Sequence, residues 1–142
     1  MTESRIEARI RELGYELPVA PAPVAAYVPA VTSGSYVYTS GQLPFVDGAL
    51  PETGKVSDSG AEGSVTPENA KKYAGICLLN ALAAVKSVIG DLDRVQRVVK
   101  VVGFVASEVN FSEAGQHARS AVGVPVLPLD SPVEVEIIVE YV

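Results

Sequence analysis

One arginine and one glutamate near the end of the chain have the types and setting to handle a small acid. Arg119 lies in the run His117-Ala118-Arg119-Ser120-Ala121-Val122-Gly123-Val124, and Glu134 lies in Val133-Glu134-Val135-Glu136. A guanidinium grips a carboxylate through two parallel hydrogen bonds. A glutamate holds or activates a water. Carried on neighbouring strands, the two can point into one cleft, which predicts a site for a small carboxylic acid. The plainer alternative is a structural ion pair between Arg119 and Glu134 or Glu136 across the strands. Glu136 and Glu140 are assigned to a solvated face.

The elements that position these residues are legible in the pattern around them. Val133, Val135, Ile137 and Val139 alternate with Glu134, Glu136 and Glu140, the period of a two-faced strand. Pro128, Asp130 and Pro132 mark the turn before it. Upstream, Thr66-Pro67-Glu68 opens the main helix with a capping hydroxyl, a proline where its missing N–H costs nothing, and an acid at the positive end. Ala70, Ala74, Cys77, Leu78, Ala81, Leu82, Val85, Val88 and Ile89 form a wide apolar stripe, and Gly90 ends the helix. Cys77 sits on that stripe and reads as inert core. Val95 to Ala106 is a long strand.

Ser4 caps a short helix from Arg5 to about Leu13, stopped by Gly14. A proline-rich lead follows, so residues 1–23 form a helix and lead-in to a single domain spanning 1–142. Ala26 to Val31 and Ser35 to Ser40 are β-prone runs with Thr32-Ser33-Gly34 as their turn. Asp47-Gly48 is a second tight turn. Residues 51–66 read as a surface loop. The order of elements predicts an α+β layer with helices against a mixed sheet.

Composition narrows the function classes. The chain has 142 residues, 48% of them hydrophobic, and a net charge of −6, which is globular and acidic. It has no basic run, so nucleic acid and anionic membranes are not expected partners. Six tyrosines, three phenylalanines and no tryptophan provide little base-stacking surface. One cysteine permits no internal disulfide. The N-terminus lacks the apolar core of a secretory signal, and no stretch reaches the ~20 apolar residues of a membrane span, so a cytoplasmic location is expected. Asp91 and Asp93 lack the further ligands of a calcium loop. No glycine loop with a lysine cradles a phosphate. His117, the single histidine, is set aside as a base on the expectation that it faces away from Arg119.

Four segments occur in a fixed order: Tyr36-Val37-Tyr38-Thr39-Ser40-Gly41-Gln42; Phe104-Val105 followed by Asn110-Phe111; Ala118-Arg119-Ser120-Ala121-Val122; and Leu127-Pro128-Leu129-Asp130 before Val133-Glu134-Val135-Glu136. Together they resemble the RidA/YjgF family of reactive-intermediate deaminases, whose older descriptions include endoribonuclease and translation inhibitor. The likeness runs from about Pro23 to Val142, with the N-terminal helix and lead marking a long-chain subgroup.

The resemblance implies a chorismate-mutase-like fold, with helices packed on one face of the sheet, and a homotrimer with a cleft at each subunit boundary. It implies hydrolysis of small 2-imino acids, of the 2-iminobutanoate and 2-iminopropanoate type, to 2-keto acids and ammonia, with no metal or organic cofactor. By resemblance Arg119 holds the substrate carboxylate, Glu134 positions the attacking water, and Tyr27, Ser40 and Gly41 border the substrate. The usual Gly-Pro-Tyr-Ser-Gln context is absent around Tyr27. Ala121 stands where the family often has cysteine. A non-catalytic trimeric binder of small carboxylates, or an interaction protein, is the alternative on the same fold; RNA cleavage is a third.

The chain departs from the family before Arg119. Only Ser112 to Ala118 stand where the family has a helix, room for about two turns at 3.6 residues each. Whether a deletion or a segment absent from this sequence, the gap predicts an exposed apolar patch where that helix would pack, unless a partner or altered packing covers it. It also removes residues that border the cleft in relatives. The hydrolase reading requires the guanidinium and the carboxyl to meet in one water-accessible hollow, expected between two copies of the chain; the two groups on opposite sides of the sheet would leave only the architecture standing.

Overall fold

The computed structural model describes residues 3–20, 22, 26–107 and 118–142. Helix α1 is Arg5–Glu12, strands β1 and β2 are Ala30–Ser33 and Tyr36–Thr39, and helix α2 is Pro67–Ile89. Strands β3, β4 and β5 are Val95–Ala106, Ala118–Val124 and Val133–Tyr141. They form one mixed sheet in the order β1-β2-β5-β3-β4, antiparallel except for the parallel β3–β4 pair. This is the chorismate-mutase-like α+β arrangement expected from the sequence.

The core forms because the two main apolar patterns meet. Val133, Val135, Ile137 and Val139 of β5 are all buried, and they pack with the α2 residues Cys77, Ala81, Ala84 and Val85. Full burial of each valine or isoleucine contributes about 1.5–3 kcal/mol before opposing entropy. Thr66 caps α2 by accepting from the Asn69 N–H at 3.1 Å, and Gly90 closes the helix with φ 85°. By length and composition α2 could cross a membrane, contrary to the sequence expectation; in the fold its apolar stripe is spent on the sheet.

α2 lies over β5 and the β1–β2 hairpin. No described helix covers β3 and β4 on that side. Residues 118–123 of β4 are exposed, and open space lies above Gly103. Among the described residues this part of the helix-side face is lined by the small residues Gly103, Ala121 and Gly123.

The hairpin turn is the two-residue Gly34-Ser35 rather than Thr32-Ser33-Gly34. Ser33 pairs with Tyr36, so Gly34-Ser35 makes the turn, with Gly34 at φ 57°. β1 starts only after Pro29, which has no N–H to give a ladder. The 51–66 loop is anchored rather than free. Val56 and Val65 are buried, and the Tyr73 hydroxyl donates to Glu52 at 2.7 Å. Helix α1 has the expected Ser4 cap and buries Ile10 alone of its stripe. Asp93 accepts from the Arg5 and Ile6 N–H groups at 2.9 Å, and these bonds hold its carboxyl well below the usual range.

Candidate functional site

Glu134 is a half-buried carboxyl on the sheet face away from α2. Its strand neighbours Val133 and Val135 are buried against the helix, so alternation sends Glu134 and Glu136 to the other side. Burial raises the Glu134 pKa, and the Glu136 carboxylate adds to the rise. The Glu134 side chain lies directly against Gly41; a methyl group there would overlap its carboxylate. The glycine at this position is thus explained by close approach rather than by backbone freedom.

The segment carrying Gly41 is fastened on three sides. Ser40 Oγ donates to the Val28 carbonyl at 2.6 Å, and the Ser40 N–H to the Pro29 carbonyl at 2.8 Å. Gln42 exchanges two backbone bonds with Val135, at 2.8 and 3.0 Å. Asn80 of α2, only 2% exposed, donates its amide to the Leu43 and Phe45 carbonyls at 3.0 and 3.2 Å. Sequence reading passed over Asn80. Its signal is a polar side chain three residues after Cys77, inside the stripe that faces the core.

Tyr27 and Ser40 line one open hollow of about 430 Å³, with Val28, Val31, Tyr38 and Thr39. Gly41 joins that hollow to Glu134 through the Ser40–Gly41 peptide. Four of the five residues singled out in the sequence are therefore clustered at the β2–β5 side of the sheet.

Arg119 is not among them. β3 lies between β4 and β5, so the strands bearing Arg119 and Glu134 are not neighbours. Register also separates their faces. Val101 pairs with both Arg119 and Ile137, and Ile137 is buried towards α2. Arg119 therefore stands on the helix side. Phe104 pairs with Glu134, one position out of phase with every residue on that side. Directly paired residues share a face, so one chain holds the guanidinium and the carboxyl on opposite sides of its sheet. The expected meeting of the two groups from neighbouring strands of one chain is corrected accordingly. The alternative ion pair is not formed either: among the described residues Arg119 makes no ion pair with Glu134 or Glu136.

His117 and the Asn110-Phe111 segment lie outside the described residues. In sequence His117 stands two positions before Arg119, with Ala118 alone between them, so the opposite-face argument for adjacent strand residues does not apply to it. Cys77 is buried, its thiol pushed well above its ordinary pKa by desolvation and then by Glu134, which makes it inert core as expected. No metal cradle of three or more His, Cys, Asp or Glu side chains occurs among the described residues.

A half-buried carboxyl with a raised pKa can take a proton from a water and return it, which suits hydrolytic proton transfer. The hollow beside it can seat a small, partly apolar molecule.

The family model described as Endoribonuclease L-PSP matches residues 17–141. Protein TCP17 of Trypanosoma cruzi is 38% identical over 159 aligned positions, covering 99% of this chain and 96% of that protein. Those 159 positions exceed the 142 residues of this chain, so the alignment opens gaps in it. The 2-iminobutanoate/2-iminopropanoate deaminase of Salmonella typhimurium is 36% identical over 127 residues, covering 84% of this chain and 90% of that protein. Among solved structures, the protein Atu1372 of Agrobacterium tumefaciens, described as of unknown function, superimposes with a TM-score of 0.81 at 38% identity, covering 96% of this chain and 93% of that one.

Proposed function

Because the chain belongs to the RidA/YjgF family, we propose that it hydrolyses small 2-imino acids to 2-keto acids and ammonia, in a trimer whose clefts lie between copies. The observation that carries this reading is Glu134: a half-buried carboxyl, raised in pKa, held against Gly41 beside the Tyr27–Ser40 hollow. Since one chain keeps Arg119 on the other side of its sheet, the substrate carboxylate is held by Arg119 of an adjacent copy.

The chemistry is a hydration followed by an elimination. Water oxygen adds to the carbon of the protonated imine (C=NH2+) while one of its protons passes to the Glu134 carboxylate. The imine nitrogen becomes an amine, which takes the proton back from Glu134. Ammonia leaves as the carbinol O–H gives its proton to Glu134 and the C=O bond forms. A raised pKa suits both halves, because the group is the stronger base when ionised and remains able to donate. Holding both the carboxylate and the water contributes through orientation, several kcal/mol in favourable cases.

Association is supported by the sheet face that Glu134 shares. Val31, Tyr38 and Val122 are all more than 40% exposed there, an apolar surface on the side that no described helix covers. The separation of Arg119 from Glu134 within a chain favours a second reading, a trimeric binder of small carboxylates without turnover.

The test generates an imino acid with an amino-acid oxidase and follows its loss with and without the protein. Acceleration that disappears in Arg119→Ala and Glu134→Gln is expected. Protection of the protein by 2-ketobutyrate in thermal melts, with no acceleration at any concentration, would establish the binder instead.

A further inference from the structure

We propose that Asn80 is a positioning residue, holding the Gly41-to-Phe45 loop from the core helix so that the Glu134 carboxyl is kept in its working place. This rests on the reading of Glu134 as the proton-transfer group. Asn80 is a polar side chain in the buried stripe of α2, where an unbonded amide would be costly. Both donated bonds go to one loop, at 3.0 Å to the Leu43 carbonyl and 3.2 Å to the Phe45 carbonyl. The Leu43 carbonyl also accepts from the Phe45 N–H at 2.9 Å, a three-residue turn around the fully buried Pro44.

Nothing else from α2 bonds this loop among the described residues. Its other ties are the Ser40 bonds to Val28 and Pro29 and the Gln42 exchange with Val135, all on the N-terminal side of Leu43. Removing the Asn80 amide leaves the Leu43 and Phe45 carbonyls short of a donor and frees the far half of the loop. A Cβ placed on Gly41 would run into Glu134 from its γ-carbon to a carboxylate oxygen, so the loop backbone passes close to that side chain and its displacement changes how closely the carboxyl is covered. The charged group beside Glu134 on the same face of its own strand is Glu136; Cys77 of α2 lies on the other side of the sheet, in the core, where it feels the Glu134 charge. On β3 its partner Phe104 is uncharged, with Lys100 two pairs further along the same face. The 40–45 loop carries no charge, and Arg119 enters from the adjacent copy in the proposed assembly.

The experiment compares wild type with Asn80→Leu, which fills the space without the donors, and Asn80→Ser, the milder change to use if the leucine variant does not fold. Two readouts are taken: the Glu134 carboxyl titration by carbon NMR, and the split of imine hydrolysis into kcat and KM. The expected result is a Glu134 titration moved down towards the ordinary carboxylate range, with kcat lower by about 10-fold or more and KM nearly unchanged. A folded variant with the wild-type Glu134 titration and wild-type kcat overturns the proposal. So does the absence, in the wild-type protein, of hydrogen-bond couplings from the Asn80 amide to the Leu43 and Phe45 carbonyls. A wild type without imine hydrolysis, whose Glu134 titration still moves in the variant, upholds the positioning role and rejects the hydrolase reading.

Discussion

Gly41→Ala adds one methyl group where the Glu134 side chain already lies. Gly41 is not among the residues of positive φ, so alanine fits its backbone. The three nearest atoms the new methyl meets belong to one flexible side chain: the carboxylate oxygen, its carbon and the γ-carbon of Glu134. The fold can respond by rotating Glu134 alone, at roughly 0.5–1.5 kcal/mol for an off-rotamer side chain. Function has no such escape. The carboxyl must move by about 1 Å or more, a misplacement that costs on the order of 100-fold in rate. Urea unfolding and oxidase-coupled imine hydrolysis, run on the same preparation, separate the two effects. A small loss of stability with a large loss of kcat is expected. Stability and rate falling together, or a rate within twofold of wild type, would refute the reasoning.

Gly54→Ala is expected to give the opposite pattern. Gly54 has φ 116°, and an added methyl would run into the Gly63 backbone carbonyl, which cannot rotate away. A stability loss of roughly 1–3 kcal/mol, with the activity of the folded fraction preserved, is the expected outcome of urea titration and assay. Glu134→Gln should uncouple stability from activity through pH. The folded-state pKa of Glu134 is raised, so the native chain binds its proton more tightly than the unfolded chain, and ionisation destabilises it. That penalty is absent below the unfolded carboxylate value and complete above the raised one. Thermal melts across that window should therefore show the glutamine variant gaining on wild type as pH rises, while its hydrolysis is lost.

Much of the architecture was legible because its causes are local. Thr66-Pro67 and Gly90 bound α2, and the alternation of Val133 to Val139 fixed which side of β5 is buried. The partners across the sheet were not legible in the same way. β4 and β5 follow each other in sequence, yet β3 inserts between them, and a one-residue phase decides the face on which Arg119 stands. Neither strand order nor register is written in hydrophobic period. Asn80 was hidden by the opposite fault: it sits inside a pattern regular enough to be read as wholly apolar. Tyr27, Ser40 and Gly41 came from family resemblance, and only the coordinates connect them physically, through the Ser40–Val28 bond and the contact of Gly41 with Glu134.

Mixing two inactive variants measures the central claim. Arg119→Ala and Glu134→Gln subunits, co-expressed in equal amounts, assemble at random around a ring. If each cleft takes its arginine from one copy and its glutamate from the next, roughly one quarter of clefts (half times half) are intact, and about that fraction of wild-type imine hydrolysis returns. Mixed assemblies as inactive as either parent, despite verified subunit exchange, would contradict the account.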